Sequence, residues 1–183
     1  MTFRLLDGGF AVQRINMSDQ YVGKKMVEEE DLYRFLEAYE EVTGERLEVI
    51  DGGERPDFIA VRSTGEQIGI ELTRAPHDYQ MARWDRILGA VHPMNDFDLL
   101  AAVQNIVDQK AKKRGEGNWR LPSNSILVIK LIDYTFMFPN WFKTDCLAAD
   151  YADAGFSEIW LADHTQLDAY GAVRLIGLYP RRI

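Results

Sequence analysis

Between Leu32 and Val42 the apolar residues Leu32, Phe35, Leu36, Tyr39 and Val42 recur at helical spacing, predicting a helix over 26–43 that Gly44 stops. Leu47–Ile50 then reads as a short strand ended by Asp51, Gly52 and Gly53. Two further apolar runs, Asp57–Val61 and Ile68–Leu72, flank the polar stretch Ser63–Glu66 and its Gly65. They predict a β-hairpin with strands over 56–62 and 68–74. Residues 77–92, with Met81, Trp84, Ile87 and Leu88, fit an additional helix less regularly. A clearer helix spans 97–114, capped by Asn95 or Asp96, with Leu99, Leu100, Val103 and Val107 on one face and Gly115 at its end. Ile126–Ile132 is a continuous apolar run, as in a central strand covered on both faces. Residues 141–154 read as a helix before Gly155, and Ser157–Ala162 and Ala172–Leu178 as strands. The order helix, three strands, helix, strand–helix–strand–strand predicts a single α/β domain, a mixed sheet with helices packed on it.

Composition narrows the class. At 183 residues, 46% hydrophobic and 27% charged, the chain suffices for one domain with its own core. No apolar stretch approaches the roughly 20 residues of a membrane span. Met1–Ile15 alternates around Asp7, Gly8 and Gly9 like a hairpin, without the apolar run of a signal peptide. Cys146 is the only cysteine, so neither an internal disulfide nor a multi-cysteine zinc site can form. A cytoplasmic protein is expected. The net charge of −8 argues against a non-specific nucleic-acid coat, whose affinity comes from phosphate contacts. It leaves room for a nuclease, in which bound metal supplies the local positive charge. Charge is uneven: Glu28, Glu29, Glu30, Glu37, Glu40 and Glu41 make one helix acidic, while Lys110, Lys112, Lys113 and Arg114 cluster on another.

Candidate chemistry gathers on the hairpin. Asp57 and Glu71 put a carboxylate on each of two adjacent strands, a fitting donor pair for Mg²⁺, which takes oxygen ligands and keeps several waters. Side chains alternate along a strand, so the two carboxylates share a face only if odd positions pair with odd. A loop of Thr64–Glu66 pairs Ser63 with Gln67 and sets Asp57 opposite Thr73; a shorter loop by one residue would separate the carboxylates. Gly69 would leave room beside them for an ion or a phosphate. His77, His92 and His164 show no metal-ligand spacing. Trp160 reads as core, and Trp119 and Trp141 as loop anchors.

Pro56-Asp57, Glu71-Leu72-Thr73 and the 97–114 helix together resemble the PD-(D/E)XK nuclease superfamily, the restriction-endonuclease-like fold, over about residues 26–132. The resemblance implies a mixed sheet flanked by helices. It also implies one or two Mg²⁺ (or Mn²⁺) ions on Asp57 and Glu71, and hydrolysis of phosphodiester bonds in nucleic acid, with DNA expected. Thr73 stands where the family has its lysine. Some members carry that lysine on the next helix, and Lys110 and Lys113, three apart and so on one helix face, resemble that variant. Gln104 and Val107 continue their stripe. A glutamate of the first helix often joins the metal in this family, and Glu28 or Glu29 matches it. Insertions between the catalytic strand and the lysine helix commonly contact substrate or a second subunit, which points to Arg83, Trp84 and Arg86, with Thr73 and Gln104 as lesser contacts. A homodimer is compatible, because two sites must reach two strands.

Each element also has a plainer reading. Pro-Asp is a common turn, a strand Glu often faces solvent, and lysines at a helix C-terminus favour the dipole. Two further functions therefore stay open: a nuclease-fold binding or assembly module without catalysis, and an acidic immunity or regulatory protein of a mobile element or defence system.

Overall fold

The computed structural model describes residues 5–6, 9–10, 17–75, 96–117, 119–121, 123–131, 148–164 and 173–181. The chain clusters into two compact units, Met1–Tyr33 and Arg34–Ile183. In the first, β1 (Leu5–Leu6) pairs antiparallel with β2 (Gly9–Phe10), the hairpin expected around Asp7–Gly9. Helix α1 (Met17–Thr43) begins well before the expected 26, because Gly23 weakens the sequence signal without ending the helix. Of its predicted stripe, Leu32, Phe35 and Tyr39 are buried, whereas Val42 is 43% exposed, one residue from the helix end. Gly44 stops the helix at φ +72°, a left-handed conformation that glycine adopts without a Cβ penalty.

The second unit is built on a six-stranded sheet in the order β3 (Glu48–Gly52), β4 (Phe58–Val61), β5 (Gln67–Ala75), β6 (Ser125–Leu131), β7 (Glu158–Asp163), β8 (Arg174–Tyr179). β3, β4 and β5 are successively antiparallel, β5, β6 and β7 are parallel, and β8 returns antiparallel. This is the mixed α/β sheet that the element order predicts. β3 forms one edge, and all its residues are exposed.

Strand alternation divides the core into two faces. Ala75, Leu127, Ile129, Leu131, Ile159, Leu161, Ile176 and Leu178 pack with Val103, Ile106 and Val107 of α2 (Asp96–Gly115). On the opposite face Trp160, fully buried as expected, meets the Tyr39 ring edge-on at 5.6 Å. β6 is buried along nearly its whole length, as its unbroken apolar run requires. Gly115 lies within α2, and the left-handed residue beyond the helix is Gly117 instead. Trp119 anchors the following loop in the core, its ring edge-on to Phe156. Of the helix expected over 141–154, residues 141–147 lie outside the described residues, and Ala152–Ala154 is a 3-10 turn closed by Gly155 at φ +74°. The additional helix expected over 77–92 also lies outside them. Among the described residues, no helix is long and apolar enough to cross a membrane.

Candidate metal centre on the hairpin

The hairpin register decides whether Asp57 and Glu71 can act together. β4 and β5 pair Phe58 with Ile70, Ile59 with Gly69, Ala60 with Ile68 and Val61 with Gln67. Extending that ladder by one residue sets Asp57 opposite Glu71. The expected partner, Thr73, is therefore corrected by two positions, and odd still faces odd. The cause is the place of the loop and not its length: the Arg62 amide donates to Glu66 O and Gly65 N to Arg62 O, so Arg62 faces Glu66 and the three residues 63–65 turn one position earlier than the expected 64–66. A two-residue shift preserves parity, so both carboxylates lie on the α2 side of the sheet.

Asp57 is held by its surroundings. Its Oδ2 accepts a 2.8 Å hydrogen bond from Leu72 N, where β4 has run out of ladder partners, and its main-chain oxygen accepts one from Gly53 N at 2.9 Å. Gly69 does not leave room for an ion. A Cβ there would lie 2.8 Å from Pro56 Cγ and 3.2 Å from Ser125 Oγ, so the buried Pro56 ring fills that space and seats the residue before Asp57.

Glu71 is buried in mid-strand, and Lys110 comes down to it from α2. Lys110 Nζ lies 2.5 Å from Glu71 Oε1, with side chains 15% and 7% exposed. Val103, Ile106 and Val107 fix that face of α2 on the sheet, and Lys110 continues it one turn on. Glu71 Oε2 is buried and has no hydrogen-bond partner among the described residues. A buried acceptor of this kind is uncommon in a folded protein and suits an oxygen donor to a cation.

The remaining candidates fall elsewhere. Lys113 is exposed near the end of α2, and Arg114 is the residue that turns inward. It donates through Nη1 to Gly155 O and stacks 5.2 Å from the Phe156 ring centroid, so this end of the basic cluster is a tertiary clamp rather than a solvated helix end. Thr73 is buried on the Glu71 face, opposite Ile129 of β6. Gln104 is exposed on α2. Glu29 is exposed and Glu28 half-buried, both within the first unit. Arg83, Trp84 and Arg86 lie outside the described residues. Among the described residues, no group of three or more His, Cys, Asp or Glu side chains is gathered for a metal ion. The donor set is thus two carboxylates, which suits a hard cation that keeps several waters.

A second polar cluster, on the α1 side of the sheet, escaped the sequence reading. Glu158 Oε1 accepts from Tyr39 OH at 3.0 Å and from Arg62 Nη2, and Glu158 Oε2 accepts from Trp160 Nε1 at 2.8 Å. Arg62 also reaches Glu45 and, at 3.1 Å, the Tyr39 hydroxyl. Burial pushes the Tyr39 phenol up to about 12, against the pull of the Arg62 guanidinium beside it. Both Glu158 oxygens have partners, whereas Glu71 Oε2 has none among the described residues.

Compared with protein-family models, with curated proteins and with solved structures, the chain gives no match.

Proposed function

We propose that this chain is a Mg²⁺- or Mn²⁺-dependent nuclease that hydrolyses phosphodiester bonds in DNA, a variant of the PD-(D/E)XK type with its lysine on the following helix. The observation that carries the reading is the contact of Lys110 with Glu71, in a register that sets Asp57 opposite. Sequence distance alone would not bring an ammonium from α2 to that one strand carboxylate. The orphaned Glu71 Oε2 supplies the second support.

Asp57 and Glu71 would hold the metal, which when bound polarises a phosphoryl oxygen and lowers the pKa of a coordinated water. The chain's own groups do the rest. Leu72 N and the Pro56 ring keep Asp57 in place. Lys110 brings a positive charge to Glu71, where it would steady negative charge growing on the phosphate. Thr73, on the same strand face, offers a neutral hydroxyl and no charge. Acting on DNA fits the cytoplasmic placement that the lone cysteine favours.

One observation favours a second reading, a nuclease-fold binding module without catalysis. Lys110 already neutralises Glu71, much as Arg62 neutralises Glu158 in the cluster on the other face. Cleavage of DNA and RNA substrates in Mg²⁺, Mn²⁺ or EDTA separates the two. The nuclease cuts only with metal and loses that activity in Asp57→Asn. A folded wild-type protein that cuts no substrate, yet binds nucleic acid equally well in EDTA, is the module.

A further inference from the structure

The two carboxylates are held in different ways. The Asp57 carboxylate accepts from the main-chain amide of Leu72, and the Asp57 main-chain oxygen from that of Gly53, donors that cannot leave without opening the hairpin. Glu71 is held at Oε1 by the end of a long, flexible lysine side chain, while its Oε2 has no partner among the described residues. Both members of the Glu71–Lys110 pair are largely removed from solvent, so water screens neither charge and each depends on the other. A divalent cation arriving at Glu71 would meet an ammonium already in contact with that carboxylate. Two cations so close in a poorly screened site repel strongly.

We infer that Lys110 is a lock on the metal site: it competes with the divalent cation for Glu71, and metal loading displaces the ammonium from Oε1. This rests on the reading of Asp57 and Glu71 as metal ligands. Without metal, Lys110 compensates the buried carboxylate and keeps the site folded. With metal, that task passes to the ion, and the ammonium moves off Glu71 toward the substrate. The lysine is therefore freed for phosphate only when the ion is in place. A chain with its lysine on α2 thus couples metal arrival to release of its cationic group.

Mn²⁺ binding to the full chain, followed by electron paramagnetic resonance without substrate, tests the lock in wild type, Lys110→Met and Glu71→Gln. The expected result is binding at least about tenfold tighter in Lys110→Met than in wild type, and lost in Glu71→Gln. Equal affinity in wild type and Lys110→Met, still lost in Glu71→Gln, overturns the lock and leaves the metal site standing. Absence of binding in both wild type and Lys110→Met overturns the metal site and the lock with it. Lys110→Met leaves a buried carboxylate unpaired, so a second measurement uses the wild-type protein. The ¹⁵N signal of the Lys110 ammonium, assigned by its loss in Lys110→Arg, is followed through a Mg²⁺ titration whose saturation is read from the side-chain carboxylate ¹³C signals. A change in the ammonium signal that tracks the carboxylates supports displacement. An ammonium signal unmoved at saturation, or carboxylates that never respond, overturns it.

Discussion

Gly69 and Pro56 show how closely the candidate site is built. The proline ring occupies the space that a β-carbon at 69 would need, with Ser125 Oγ on the other side, itself tied to Leu121 O at 2.7 Å. Neither neighbour is the free end of a flexible chain. Gly69→Ala must therefore push the Pro56 ring outward and carry Asp57 with it. The expected cost is about 1–3 kcal/mol, the usual range for one excess carbon in a packed site, read from urea denaturation. A larger fractional loss of metal-dependent cleavage should accompany it at temperatures where the variant stays folded, because a small misplacement of a metal ligand weakens catalysis more than folding. Unchanged stability would mean that Pro56 is loosely seated and does not position Asp57. Glycine at 69 reads from sequence as open space; only the fold reveals that a proline thirteen residues earlier fills it.

At the scale of elements, the shared face of Asp57 and Glu71 was legible although the partner was not, because strand alternation has a period of two and a register two positions off leaves both residues on one face. Where the three-residue turn falls was not legible, since Ser63, Thr64 and Gly65 all suit a turn. Lys110 was legible as an extension of the buried face of α2. Lys113 was not separable from it by spacing alone: the buried stripe drifts from Lys110 toward Arg114, about +40° further round the helix, and leaves Lys113, about 60° the other way, exposed. The Glu158 cluster could not be read at all, because Tyr39 and Arg62 reach Glu158 from 119 and 96 residues away in the chain. That cluster ties the end of α1 to the sheet, and it has a pH signature. The Tyr39 phenol rises from 10.0 to about 12 on folding, so the folded state favours the neutral form. A group raised in this way contributes stability that is complete below its unfolded value and is lost as pH climbs through the folded one. Thermal stability should therefore fall between about pH 10 and 12, and Tyr39→Phe should flatten that fall while lowering stability at neutral pH by about 1 kcal/mol for the lost hydrogen bond. An identical alkaline profile in the variant would remove Tyr39 as its source.

Across the whole molecule, a net charge of −8 makes broad electrostatic attraction to nucleic acid unfavourable. The proposed activity therefore depends on local positive charge, from Lys110 and from the ion it competes with, rather than on a basic surface. The mixed α/β sheet and the helix that delivers Lys110 were predictable from periodicity, whereas the order of strands across the sheet came only with the fold. The chemistry was only partly so: Lys110 meets Glu71 across 39 residues of chain, while Glu29 stays exposed in the other unit.

The most direct test is nicking of supercoiled DNA in Mg²⁺ and in Mn²⁺, comparing wild type with Glu71→Gln, whose amide keeps the size of the carboxylate while removing its charge. Metal-dependent nicking by wild type is expected, abolished by EDTA, and reduced at least about 100-fold in a folded Glu71→Gln protein. Nicking that persists undiminished in Glu71→Gln, or a pure wild-type protein that leaves the DNA intact in both metals, would contradict it.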